Sequence, residues 1–74
     1  MGKLPPLPSG RVCKVLEGLG FVAMRQKGSH VFYRHPDGRT TVVPLHRGED
    51  ISTGLLLKII RDCGLSRDEF LEML

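Results

Sequence analysis

Seventy-four residues make one small domain, and 26% charged with 41% hydrophobic side chains is the ordinary composition of a soluble globular protein. Such a chain buries only about 60% of its unfolded surface, and three Phe, one Tyr and no Trp leave little with which to line a deep aromatic pocket. The net charge of +3 is unevenly spread: seven Lys/Arg face two acids between Arg11 and Arg47, a net of +5, and three face six from Glu49 to Leu74, a net of −3. A basic front fits an anionic partner, nucleic acid first; the competing reading is an ordinary solvated surface.

Residues 1–8 form a Pro-rich leader, and residues 9–74 form the domain. Leu4-Pro5-Pro6-Leu7-Pro8 lacks backbone donors at its prolines and is expected to be extended, a stiff approach to the first helix. Ser9 suits an N-cap. Val12, Val15, Leu16 and Leu19 follow i, i+3, i+4, i+7 spacing, which predicts an amphipathic helix of about two to three turns. Arg11 and Lys14 lie off that stripe and face solvent. Gly18 and Gly20 end the helix, one of them as a left-handed cap.

Three strands follow, over 21–27, 30–35 and 39–45. Gly28-Ser29 joins the first two as a tight turn, and Pro36-Asp37-Gly38 joins the second and third. Pro44 cannot donate to a ladder, so the third strand lies at an edge or ends there. The three form an antiparallel meander. For the middle strand, Val31 and Tyr33 argue that the odd positions are buried, and Phe32 argues for the even ones. Alternation alone leaves both open.

A polar connection, 46–50, leads to Ser52 or Thr53 as the cap of a second helix. Leu55, Leu56, Ile59, Ile60 and Cys63 give it a wide apolar face, and Gly64 closes it. Ser66-Arg67-Asp68-Glu69 reads as a capping box, opening a short last helix with Phe70, Leu71 and Leu74. The order is α-β-β-β-α plus a short C-terminal helix, an α+β fold with both main helices packed on one sheet face.

Cys13 and Cys63 sit in helical apolar patterns without a C-x-x-C pair, which predicts reduced thiols and a reducing, cytoplasmic compartment. There is no apolar h-region of a signal peptide. The longest apolar run, Leu55-Leu56-Leu57, resumes after Lys58 and is too short to span a membrane. Three histidines and two cysteines lack the close spacing of zinc ligands, so neither a metal nor another cofactor is expected.

The chemistry centres on His30, at the mouth of the middle strand beside Lys27 and near Arg25 and Arg34. An imidazole titrates near neutral pH, and neighbouring cations can stabilise a phosphate as its charge grows. On these residues alone, a surface histidine on a basic hairpin stands beside that reading.

The runs Leu-Glu-Gly-Leu-Gly-Phe-Val, Arg-Gln-Lys-Gly-Ser-His, Tyr-Arg-His-Pro-Asp-Gly-Arg and Val-Val-Pro-Leu-His resemble the HicA toxin family, also called YcfA-like. The closing Leu-Leu-Leu-Lys-Ile-Ile-Arg-Asp-Cys-Gly-Leu-Ser-Arg-Asp-Glu-Phe-Leu is similar to the family's ending. The resemblance runs from about Ser9 to Leu74. Val31 departs from it, since that position is often polar or histidine in the family.

The resemblance implies a double-stranded-RNA-binding-domain-like fold. It implies a stress-response toxin of a type II toxin–antitoxin system, a metal-independent mRNA interferase paired with a HicB-type antitoxin. It makes His30 the catalytic residue, with Gly28 and Ser29 shaping its loop. Arg11, Lys14, Arg25, Lys27, Arg34 and Arg47 are the candidate RNA contacts. His35 is the candidate second acid/base, against a role in shaping the turn before Pro36, and His46 reads as a loop cap. Two other classes stand beside the enzyme: a non-catalytic RNA-binding module, and an inactive toxin remnant that still binds an antitoxin.

Overall fold

A computed structural model describes residues 4–46 and 48–74. Its elements are β1 (Leu7–Pro8), α1 (Ser9–Gly18), β2 (Val22–Lys27), β3 (His30–Arg34), β4 (Thr40–Pro44), β5 (Asp50–Ile51), α2 (Thr53–Asp62) and α3 (Arg67–Glu72). β2, β3 and β4 form an antiparallel meander in that order. Helix α1, the meander and α2 give the double-stranded-RNA-binding-domain-like arrangement, followed by the short α3.

The Pro-rich segment is extended, as its prolines require, and it also packs. β1 pairs antiparallel with β5, Leu7 opposite Ile51. Leu4 and Leu7 are buried, and the Thr53 hydroxyl donates to the Leu4 carbonyl at 3.0 Å. Because Leu7 and Pro8 are held extended by β5, α1 starts one residue earlier than expected. Ser9 is its first helical residue, and Pro8 is the N-cap, with no side-chain cap bond.

Both long helices end in the same way. After the Leu19 C-cap, Gly20 N–H donates to Glu17 and Phe21 N–H to Leu16. After the Cys63 C-cap, Gly64 N–H donates to Arg61 and Leu65 N–H to Ile60. These are Schellman closures, which need a positive φ at the residue after the cap; Gly20 has φ +101° and Gly64 φ +73°. Ser52 caps α2, and Ser66 with Glu69 forms the capping box of α3.

The core lies between the helices and the odd-numbered face of the sheet. Val12, Leu16, Val43, Leu56, Ile59 and Phe70 are almost fully buried there, with Val31 and Tyr33 beside them. This answers the question left open for β3: its odd positions point inward. The Tyr33 hydroxyl donates to Glu17 on α1 at 3.2 Å, and buried Thr41 donates to Asp62 on α2 at 3.0 Å.

Cys13 and Cys63 are free thiols. Burial pushes the Cys63 thiol up to about 11, so it stays protonated and unreactive at neutral pH. Among the described residues no helix is long and apolar enough to cross a membrane.

Gly20 and Gly10 should respond oppositely to alanine. A Cβ on Gly20 would sit 3.1 Å from His35 Nε2, on a residue with φ +101°. Gly20→Ala should cost at least about 1–2 kcal/mol in urea unfolding, the penalty of a left-handed L-residue. Gly10 lies inside α1 with open space around it, so Gly10→Ala should stabilise by about 0.4–1 kcal/mol.

Candidate functional site

The β2–β3 hairpin is closed by Gly28 and Ser29. Gly28 has φ +60° and Ser29 does not share the positive sign. That is the type II′ pattern, with glycine first, whose twist matches the flanking strands. Gln26 Nε2 donates to the Gly28 carbonyl at 3.1 Å. The turn leaves Lys27 directly opposite His30.

On β3 the side chains alternate, so His30, Phe32 and Arg34 share the face away from the core. His30 and Arg34 are exposed, and Phe32 is half-buried. β2 reaches this face by an irregular route. Arg34 pairs with Val22 and Phe32 with Arg25, with a bulge between Ala23 and Arg25. A bulge shifts strand parity by one residue. Here it brings both Arg25 and Lys27 onto the face of His30. The Arg25 guanidinium lies 4.6 Å above the centre of the Phe32 ring. β4 adds Thr40, Val42 and Pro44 opposite Arg34, Phe32 and His30. The open face therefore carries three cations, an aromatic ring and an exposed imidazole, and its strands place no carboxylate there.

Two cavities flank β4 on this side, both shared with α2. One, of about 570 Å³, is lined by Arg25, Phe32, Arg34, Val42 and Lys58, and also by Asp62, which is held by Lys58 at 3.0 Å and by Thr41. The other, of about 350 Å³, is lined by His30, Pro44, His46, Glu49, Asp50, Ser52 and Leu55. In it the rings of His30 and His46 lie edge to face, with centroids 6.4 Å apart.

The candidate residues separate into groups. His30, Arg25, Lys27 and Arg34 come together, with Gly28 and Ser29 forming the turn beneath them. Arg11 and Lys14 are exposed on α1, which packs against the opposite, core side of the sheet. Arg47 lies outside the described residues.

His35 is not brought to His30. It follows β3 at the far end of the sheet, five residues along the strand direction, about 16 Å away at roughly 3.3 Å per residue. Both of its ring nitrogens are occupied. Nε2 lies 3.1 Å from the Leu19 carbonyl, and Nδ1 accepts from Asp37 N–H at 3.1 Å. Nδ1 also lies 3.0 Å from the Asp37 carboxylate. The ring also packs edge-on against Phe21. This matches the turn-shaping role, with His35 pinning the loop 36–38 to the end of α1.

His46 was missed as a neighbour of His30, although a signal existed. A three-residue loop, Pro36-Asp37-Gly38, makes 35 and 39 a pair, and their backbones are joined at 2.8 Å. Counting back along the strands puts 44 opposite 30 and His46 just beyond.

A family model described as HicA toxin of bacterial toxin-antitoxin matches residues 9–65. The chain belongs to the HicA toxin family. It is thus a toxin of a toxin–antitoxin system, and an antitoxin is its implied partner. The part matched to HicA spans α1, the meander, α2 and both His30 and His46; α3 lies beyond it. A comparison with curated proteins found no match.

The His35 end of this HicA-family sheet should show its polar ties in acid. Hydrogen bonds from the Arg39 side chain, then from its backbone N–H, hold the Asp37 carboxyl down to about 2 against an ordinary 3.8. A lowered carboxyl is protonated more readily in the unfolded chain. Its contribution is therefore complete above about pH 4 and is lost as pH falls toward about 2. Asp37→Asn should be less stable than wild type at pH 5, and the gap in urea midpoint should close by about pH 2.

Proposed function

We propose that this HicA-family toxin is a ribonuclease that cleaves mRNA at the open face of its sheet, with His30 transferring the proton. The observation that carries this reading is the exposed His30 imidazole among Arg25, Lys27 and Arg34, on a face whose strands carry no acid. Cations there suit a phosphodiester backbone. RNA brings its own nucleophile, the 2′-hydroxyl, so no serine or cysteine is needed. His30 exchanges a proton with the 2′-oxygen or the leaving 5′-oxygen, a step worth about 10²–10⁴-fold when positioned. Lys27, opposite His30 across the strand pair, and the nearby Arg25 and Arg34 oppose the charge that grows on the phosphoryl oxygens. No step here calls for a metal, which fits the metal-independent chemistry implied by the family.

Phe32 gives the strand of RNA a place to lie. It is two residues from His30 on the same face, about 7 Å at strand spacing, and beside a cavity open to solvent. With the Arg25 guanidinium laid 4.6 Å over its ring, Phe32 supports a flat cation on which an unpaired base stacks. This favours single-stranded over duplex RNA, because paired bases keep their faces covered. An mRNA substrate places the protein in the cytoplasm. The antitoxin is of HicB type and silences the toxin by covering this face. Val22 and Met24, exposed at 55% and 59% on edge strand β2, extend the surface available to it.

His30→Ala and His30→Gln should each lower cleavage of purified single-stranded RNA at least about 100-fold, with EDTA making no difference. Circular dichroism and RNA affinity should stay at wild-type values. Cleavage by His30→Ala at the wild-type rate would refute the assignment, and binding without any cutting by wild type would favour a non-catalytic RNA module. Phe32→Ala should weaken single-stranded RNA binding by about 1–3 kcal/mol, measured by fluorescence anisotropy, and leave duplex binding almost unchanged.

A further inference from the structure

Cleavage through the 2′-hydroxyl needs two proton transfers on opposite sides of the phosphorus. The O2′–P bond forms as O2′ loses its proton, and the P–O5′ bond breaks as O5′ gains one. One imidazole cannot reach both axial oxygens at the same moment. From the geometry around His30 we infer that His46 is the second catalytic residue, and that the two histidines divide these transfers between them. This rests on the ribonuclease reading above.

Three observations place His46 there. The His30 and His46 rings are 6.4 Å apart between centroids and inclined at 83°. They line one solvent-open cavity of about 350 Å³, so a phosphodiester seated across the mouth of that cavity can meet both rings, each at a different oxygen. The backbone also fixes their relation. Leu45 N–H donates to the Ser29 carbonyl, tying the residue before His46 to the residue before His30. Beyond it, Glu49 N–H donates to the His46 carbonyl at 3.1 Å, which turns the chain back toward β5.

Histidine is the side chain that both gives and takes a proton near neutral pH. Among the described residues, the charged groups around the pair are Lys27, opposite His30 in the hairpin, and Glu49 and Asp50, on the cavity wall shared with His46. In the reaction one ring accepts the O2′ proton as the other donates to O5′. The products are a 2′,3′-cyclic phosphate and a 5′-hydroxyl, and proton exchange with water resets both rings. Neither an oxidant nor a co-reactant is consumed.

The test compares an ordinary single-stranded RNA with the same RNA carrying sulfur in place of the bridging 5′-oxygen at the cleaved linkage. A thiolate leaves without being protonated, so loss of the general acid is forgiven on that substrate. On ordinary RNA, His46→Ala and His46→Gln should each lose at least about 100-fold, like His30→Ala, with RNA affinity and circular dichroism unchanged. On the sulfur substrate one of His30→Ala and His46→Ala should recover to within about tenfold of wild type, and the other should not. The recovering variant identifies the ring that faces the leaving group. Wild type should show a bell-shaped pH–rate profile, and each variant should lose one limb of it.

His46→Ala cutting ordinary RNA within about threefold of wild type would overturn the inference while leaving His30 in place. So would both variants recovering, or neither. Wild type cutting neither substrate, or His30→Ala cutting normally, would instead overturn the nuclease reading on which the pair depends.

Discussion

The parity of the middle strand governs the molecule. With Tyr33 inward, its hydroxyl meets Glu17 at 3.2 Å, and burial, with Cys13 and Glu17 beside it, raises the phenol above its ordinary value. Turned outward, the same register would send His30, Phe32 and Arg34 into the core and Val31 and Tyr33 into water, because strand side chains alternate with period two. Burying the Arg34 guanidinium without a partner would cost several kcal/mol, and the tyrosine would lose both its packing and its acceptor. The register that makes a core therefore also makes the open face, and the site is the obligatory other side of the sheet's packing. The bulge before Arg25 is the one departure from simple alternation. It allows β2 to send Val22, Arg25 and Lys27 to the same side despite their mixed parity.

The two ends of β3 show how one residue type serves different ends through its partners. His35 has a carbonyl at Nε2 and an amide N–H at Nδ1, an aromatic edge against Phe21 and a glycine close by. Around it Arg39 binds Asp37, donates to the Cys63 carbonyl at the end of α2, and lies over Phe21. That end of the sheet is joined to the C-termini of both long helices. His30 sits at the other end with its ring exposed and a second imidazole across a cavity. The C-terminal ends of the helices are tied to the His35 end of the sheet, and the N-terminal end of α2, at Ser52 and Leu55, borders the open cavity at the His30 end.

The elements of the fold were legible because each had a local cause. The i, i+3, i+4 stripes gave both long helices, the capping box gave α3, and Gly28 and the Pro-Asp-Gly loop gave the two turns. Pro44 marked the end of an edge strand, as found. What escaped depends on pairing between distant segments. The β1–β5 ladder joins Leu7 to Ile51, and no local pattern in a proline-rich pentapeptide specifies a partner forty residues away. The start of α1 moved for the same reason, since β5 holds Pro8 extended. In the site, His30 and its cations were readable from a hairpin motif. The place of Phe32 waited on parity, and that of His46 on the register set by the 36–38 loop. His35 looked available only because its partners, Leu19 and Asp37, lie across a turn and at a helix end.

A domain this small has little choice about where to put chemistry. Its helices already occupy one sheet face, and its few aromatic residues cannot roof an enclosed pocket. The remaining face stays in water, where charges keep their hydration and like-charged neighbours are screened. Arg25, Lys27 and Arg34 can therefore sit near one another without the penalty that burial would impose. The same exposure limits how strongly any one cation binds a phosphate, so affinity must come from several contacts laid along an extended ligand. A flat cationic strip with one stacking ring suits a flexible polyanion better than a compact small molecule. On the proposed reading, a partner that lies across the strip covers His30 and its cations together.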